Sequence, residues 1–380
     1  MPLSDPEAVA RLLLPRTVTH VAELGTEWAP VTRVTLDDGR TVVVKERRRG
    51  GSGWGYDPGN LCNERAALEL LAEVEEASVA PQFVGGDVDA GIVVMTDLAG
   101  TTLEALLLEP AAHSDAVTGL VEHGAALGRL HAWTASEAAG SSFVERRARL
   151  APYSSSAERL RFVTFGMPET WAEVGRRAAS LGFTPPIGVD DDVADLWGEL
   201  ADPGPFLALT HLDASPQNCV LAPGGRARLV DFEGAGMRHV GLDACFLRFP
   251  FPTYGHWAVL PHHVRQPMED AYRRALCLGV ASATDDRAYA RMMAVGCGAL
   301  LAMRIHRLPA IAQDDEQALR RRTQIISAIE VFVEAAEEAR SFGALAGWFV
   351  GLADEMRGRW AEACQAPRSF PAVPTGAAGP

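Results

Sequence analysis

Lysine is almost absent from this chain of 380 residues. Of its 35 lysine and arginine positions 34 are arginine, and the one lysine, Lys45, ends the β-branched run Thr41-Val42-Val43-Val44. A guanidinium is a broad planar fork, whereas an ammonium is a compact point charge on a flexible stem that fits between phosphate oxygens, so the two are not interchangeable. Lys45 is therefore a candidate anion contact, although a leftover surface lysine in an arginine-favouring gene has the same composition. Surplus positive charge is lacking too. With a net charge of −14, nucleic acid is not an expected partner, because phosphate backbones are bound through cationic surface. The six cysteines (Cys62, Cys219, Cys245, Cys277, Cys297, Cys364) form no C-x-x-C pair, which argues against a zinc site or a disulfide framework and for reduced core thiols. The longest apolar run, Met292 to Met303, is bounded by Arg291 and Arg304 and reads as a buried helix rather than a membrane span. Leu12-Leu13-Leu14 is too short for a signal-peptide core, so a cytoplasmic protein with no membrane partner is expected.

What is present reads as two regions of different character. Val31 to Leu36, the turn Asp37-Asp38-Gly39-Arg40 and Thr41 to Lys45 make a predicted hairpin that places Lys45 on a strand. After a glycine-rich stretch, Asn63 to Leu71 has helical spacing with Ala67, Leu68 and Leu71 on one face and Glu64 near its start. Gly91 to Leu98 is an apolar strand. Beyond it helices dominate: Leu120 to Trp133 carries Leu120, Leu127 and Leu130 at core spacing, Asp190-Asp191-Asp192 reads as a solvated helix start, and amphipathic helices run from Glu269 to Trp360. The boundaries expected are an N-terminal region over 1–98, a helical region over 99–365 and a disordered, Pro/Gly/Ala-rich tail over 366–380.

The segment richest in chemistry runs from Leu209 to Glu233. Two short apolar strands flank Pro223-Gly224-Gly225. If this hairpin closes symmetrically about Gly224-Gly225, Asn218 stands directly opposite Asp231, and directly opposed residues on antiparallel strands point to the same side. An amide oxygen and a carboxylate converging in this way suit Mg²⁺, which takes few protein ligands and completes its octahedron with water and phosphate oxygens. Asp213 precedes the pair in a loop of small and polar residues, where a carboxylate could orient a hydroxyl and accept its proton; alone, it reads more readily as a turn-forming aspartate.

His211-x-Asp213-x-x-x-x-Asn218 followed by Asp231-Phe232-Glu233 resembles the catalytic and metal motifs of the aminoglycoside phosphotransferase and choline kinase family, whose fold is similar to that of protein kinases. The resemblance covers roughly residues 20 to 350. It implies an α+β, bilobal protein-kinase-like fold, with a small N-lobe of antiparallel sheet plus one helix and a larger, mainly helical C-lobe. By the same resemblance Lys45 would hold the α- and β-phosphates of ATP and Glu64 would fix the lysine. Thr96 and Leu98 would offer main chain to adenine, Asp213 would be the catalytic base, and Asn218 and Asp231 would ligate Mg²⁺. His211 would brace the loop, and Asp243 would be the family's later structural aspartate.

Two departures stand out. Leu212 occupies a position where the family usually has glycine, and the phosphate-covering stretch Gly25 to Pro30 carries one glycine. The stretch Glu46 to Leu61, with Arg47-Arg48-Arg49, could fold over the phosphates, and the run Phe249 to Trp257 could line an acceptor pocket. The activity implied is transfer of the ATP γ-phosphoryl group to a hydroxyl of a small molecule, such as an aminoglycoside or other antibiotic, a sugar, or an amino alcohol such as choline. The alternative from another class is a catalytically inactive, pseudokinase-type nucleotide-binding scaffold. No Ala-Pro-Glu segment follows Asp231, which disfavours a protein kinase.

Overall fold

A computed structural model of the chain describes residues 3, 5–25, 30–47, 59–73, 79–160, 168–249, 258–305, 308–364 and 369–373. The stretch at 26–29 expected to cover phosphate, the arginine- and glycine-rich stretch at 48–58, the aromatic run at 250–257 and the last seven residues lie outside them.

The N-terminal lobe is a five-stranded sheet built from β1 (Val18–Glu23), β2 (Val31–Leu36), β3 (Thr41–Glu46), β4 (Phe83–Asp87) and β5 (Ile92–Thr96), in the order β1-β2-β3-β5-β4 with every pair antiparallel. Alternation along β3 sorts its side chains onto two faces. Val42 and Val44 join Val34, Leu36, Ile92 and Val94 in a core closed by helix α1 (Pro6–Leu13) through Ala8, Val9 and Leu13. Lys45, one residue out of phase, falls on the other face, paired with Val93. Helix α2 (Asn60–Leu71) lies on this side, with Ala67, Leu68 and Leu71 packed in one core with Val93 and Met95. The strand and helix expectations for this lobe hold, except that α2 begins three residues before Asn63 and that α1 is a second helix where one was expected.

The larger lobe is mainly helical. Its helices are α3 (Leu103–Leu108), α4 (His113–Thr134), α5 (Glu137–Leu150), α6 (Ser155–Leu160), α7 (Pro168–Ser180), α8 (Asp190–Ala201), the short α9 (Gly241–Ala244), α10 (His262–Leu276), α11 (Asp286–Ile305), α12 (Leu308–Ile311), α13 (Ala318–Ala339) and α14 (Gly343–Arg359). Its short strands are β6 (Thr101–Thr102), β7 (Leu207–Thr210), β8 (Cys219–Leu221), β9 (Ala227–Leu229) and β10 (Gly236–His239). They form two small antiparallel sheets, β6-β8-β9 and β7-β10. Leu120, Leu127 and Leu130 of α4 are fully buried, as their spacing requires. The apolar helix α11 has the length and composition of a membrane span, yet most of it is buried inside the protein.

The tail expected to be disordered from residue 366 is in part ordered. Ser369 bridges to Val259, the Ala372 N–H donates to the Leu107 carbonyl at 3.1 Å, and Phe370, Ala372 and Val373 are buried. Their contact with the body of the lobe supplies apolar burial that a Pro/Gly/Ala-rich composition conceals.

Candidate active site

The single lysine is buried in a nest of carboxylates. Lys45 is 8% exposed, and its Nζ lies 2.7 Å from Glu64 Oε2, 3.4 Å from Glu233 Oε2 and in direct contact with Asp231 Oδ1. Burial opposes its charge, but attraction from Asp231, Glu64 and Glu233 outweighs that and holds the ammonium pKa above the ordinary lysine value. Glu64, 1% exposed, responds in the opposite sense: loss of hydration pushes its carboxyl up to about 7 against the pull of Lys45. A buried carboxylate and a buried ammonium each cost several kcal/mol to dehydrate, roughly, and only their proximity makes the arrangement tolerable. The leftover surface lysine that composition allowed is thereby ruled out.

The loop after β7 carries His211, Leu212 and Asp213. Leu212 adopts φ 71°, a left-handed conformation disfavoured for a residue with a Cβ. It persists because the fully buried Asp243 accepts the His211 N–H at 2.6 Å and the Leu212 N–H at 2.7 Å, while His131 Nε2 sits 3.0 Å from the same carboxylate. Burial raises the Asp243 pKa, but its bonds with His131 and His211 prevail and hold it below the ordinary value. His131 of α4 is thus part of this brace. His211 Nε2 pairs with the Val230 carbonyl at 2.9 Å, tying the loop to the strand leading to Asp231. Asp213 stands exposed beyond the brace. Crowding by protein on its inner side raises its pKa, as does the charge of Asp231, whereas His211 and the hydrogen bond from Asn218 lower it. A raised carboxyl pKa suits a proton acceptor.

The register that placed Asn218 opposite Asp231 is corrected by the structure. The hairpin closes about Gly224 alone, pairing Leu221 with Ala227, Val220 with Arg228 and Cys219 with Leu229. Its turn spans three residues, because Gly224 (φ 92°) and Gly225 (φ 83°) both take positive φ and the Gly225 N–H returns to the Ala222 carbonyl. Asn218 therefore opposes Val230, whose N–H donates to its carbonyl at 2.9 Å. Asp231 lies past the ladder at φ 72°, turned back to Lys45. Asn218 instead meets Asp213: its Nδ2 donates to the Asp213 carbonyl at 2.9 Å and carboxylate at 3.0 Å, which sets its amide oxygen on the opposite side. The donors offered are hard oxygens of the kind Mg²⁺ takes. Among the described residues no group of three or more His, Cys, Asp and Glu is arranged to hold a metal, so a cation here would rely on Asn218 Oδ1, Asp231 and oxygens from phosphate and water.

Thr96 ends β5, and Leu98 lies two residues beyond it. The Thr96 N–H donates to the Gln82 carbonyl at 2.9 Å, and the Gln82 N–H goes to Thr96 Oγ1 at 2.9 Å rather than to the Thr96 carbonyl. Besides His131, sequence reasoning missed three members of the site. Glu233 is the third carboxylate around Lys45, and it follows Asp231 closely enough to have been suspected. Asn63 bonds to the Glu233 carbonyl, and Arg147 bonds to Asn63 from 84 residues away, a partnership with no local signal.

A sheet lobe bearing a buried Lys–Glu pair, set against a helical lobe whose loops present Asp213, Asn218 and Asp231, defines a small-molecule kinase. The chain belongs to the phosphotransferase enzyme family, whose model matches residues 20–295. Among curated proteins none matches the chain in sequence. Similar solved structures include the choline kinase LicA from Streptococcus pneumoniae (16% identity, 88% of this chain and 96% of that one, TM-score 0.43). An aminoglycoside phosphotransferase from Alicyclobacillus acidocaldarius is also similar (14% identity, 90% and 93%, TM-score 0.42). So is the amicoumacin kinase hAmiN, in complex with AMP-PNP and Ca²⁺ (13% identity, 83% and 88%, TM-score 0.48). These likenesses are too distant to carry a substrate to this chain.

Proposed function

We propose that the protein transfers the γ-phosphoryl group of ATP, with Mg²⁺, to a hydroxyl of a small molecule, an aminoglycoside or another hydroxylated antibiotic among the candidates. The observation that carries this reading is the gathering of Lys45 from β3, Glu64 from α2 and Asp231 from the turn after β9, beside a loop that holds Asp213 against Asn218. Lys45 would exchange part of its carboxylate company for the α- and β-phosphates, with Glu64 keeping the ammonium in place. Thr96 and Leu98 would meet adenine through main-chain groups. Bound Mg²⁺ supplies charge neutralisation between phosphate oxygens, and Asn218 Oδ1 and Asp231 are the groups that would hold it.

Asp213 would accept the acceptor hydroxyl's proton as its oxygen attacks phosphorus. Its exposed carboxylate is aimed by Asn218, and its raised pKa makes it a better base than an ordinary aspartate. Positioning supplies most of the catalysis in such a reaction. The brace from Asp243 to the His211 and Leu212 N–H groups is suited to that, because it fixes the loop carrying the base. A coupled ADP-release assay over hydroxylated antibiotics, sugars and amino alcohols tests the reading. Acceptor-dependent ADP release is expected with at least one class; ATP binding without turnover across the whole panel would instead support the scaffold reading.

A further inference from the structure

The turn after β9 that carries Asp231 is gripped from α2 at two successive residues. Glu64 Oε1 accepts the Phe232 N–H at 3.3 Å, and Asn63 Nδ2 donates to the Glu233 carbonyl at 3.2 Å. Asn63 is fully buried, and its Oδ1 accepts from Nε of Arg147, a 5%-exposed residue of α5. Arg147 is itself fixed, donating to the Ala151 carbonyl at 3.1 Å with its guanidinium 5.0 Å above the Tyr153 ring. A guanidinium can only donate and a carbonyl can only accept, so the Asn63 amide has one workable orientation and a flip would lose both bonds. Aspartate at this position would lack the donor, and leucine would lack both groups. Gly234, next along the turn, packs so closely on the catalytic loop that an added Cβ would lie 2.9 Å from the His211 carbonyl. The turn cannot move that way either.

We infer that Asn63 and Arg147 are positioning residues that lock α2 to the Asp231 turn, and so set the spacing between the Lys45–Glu64 pair and the metal-holding carboxylate; the inference rests on the kinase reading above. Asp231 sits at positive φ, a conformation that persists only where its surroundings over-determine it. Glu64, Asn63 and, through Asn63, Arg147 are those surroundings on the α2 side. The clamp joins the lobes through an amide–carbonyl bond held in orientation by a guanidinium, with neither Lys45 nor the Asp231 carboxylate taking part. Its loss should therefore weaken recognition of metal-bound triphosphate while sparing contacts to the adenosine end.

The test compares AMP with Mg²⁺·AMP-PNP by titration calorimetry on the whole protein. Asn63→Asp keeps shape and keeps an acceptor for Arg147, but sets an acceptor against the Glu233 carbonyl. Its affinity for Mg²⁺·AMP-PNP is expected to fall about tenfold, roughly 1.4 kcal/mol, with AMP affinity within about twofold of wild type. Arg147→Met, which leaves the Asn63 amide in place but unoriented, should give a loss of about threefold in the same direction. Should Asn63→Asp not fold, that second variant decides. Equal affinity of wild type and variants for Mg²⁺·AMP-PNP overturns the clamp, as does an equal loss for both ligands, which would mark a merely structural role. If wild type binds Mg²⁺·AMP-PNP no better than AMP-PNP without metal, the kinase reading falls and takes the clamp with it, a failure visible before any variant is made.

Discussion

Lys45→Met is the most direct test of the carboxylate nest. Methionine reproduces the unbranched apolar stem of lysine and ends one atom short of it, so the substitution removes the ammonium and little else. Glu64, 1% exposed, would then face Asp231 and Glu233 with the ammonium between them gone. Breaking a buried ion pair from one side costs about 3–5 kcal/mol, because the remaining charge is left dehydrated. The pH dependence makes the test specific. Glu64 has a native pKa of about 7 against an ordinary 4.5. Between those values the native state binds more protons than the unfolded chain, so stability falls as pH rises, and in wild type that decline ends near 7. Without Lys45 the native pKa climbs further, and the decline continues above 7 at about 1.4 kcal/mol per pH unit. Denaturant unfolding of both proteins at about pH 6 and about pH 8.5 should therefore show a stability gap that widens by about 2 kcal/mol at the higher pH. A gap below about 1 kcal/mol, or one equal at both pH values, would refute the claim that Lys45 neutralises a buried carboxylate.

Lys45→Arg should fold yet use nucleotide poorly, since the planar fork is too broad for an ammonium position between Glu64 and Asp231; an unchanged nucleotide KM and turnover would contradict this. Asp213→Asn keeps size and reach but cannot take a proton, so turnover on an acceptor found by the panel assay should drop by about 10² to 10⁴ with nucleotide affinity nearly constant. Asp231→Ala should remove most of the Mg²⁺-dependent part of the melting shift that ATP produces, and an identical shift in wild type and variant would exclude Asp231 as a metal ligand. Burial lowers the pKa of His239 to about 3 and that of His123 to about 4. The unfolded chain thus binds more protons below about 6.5, and stability present above that pH is lost as it falls. His239→Gln should flatten that acid slope by about 1.4 kcal/mol per pH unit in denaturation curves between pH 4 and 6.

The sheet lobe was legible because its strands alternate and its turns carry glycine: Val31–Leu36 and Thr41–Glu46 stand where β-branched runs and Asp37-Asp38-Gly39-Arg40 put them. Lys45, Glu64, Asp213, Asn218 and Asp231 were each nameable from motif and spacing. How they meet was not. The hairpin register failed by one residue because two adjacent glycines can centre a turn on either one or both of them, and the bond from the Gly225 N–H to the Ala222 carbonyl that decides it is invisible in sequence. Period-two pleating converts that single slip into a different partner, so Asn218 faces Val230 and bonds to Asp213. Asn63 and Arg147 escaped notice for another reason. Their significance lies wholly in contacts across 170 and 84 residues of chain.

Those separations bear on how the protein acquires its activity. Lys45 meets Asp231 across 186 residues, Glu64 meets Phe232 across 168, and Asp243 reaches His211 across 32. Long loops must close before such contacts return any free energy, whereas α4, α11 and α13 form through neighbours a few residues apart. On dilution from denaturant, the helical signal in circular dichroism should recover first and nucleotide binding last. In a chain of this size, intermediates with formed helices and undocked lobes are the common case. Nucleotide binding then reports on completed folding, and a substitution far from the cleft that slows lobe docking would register as a loss of active molecules while each surviving molecule works at full rate.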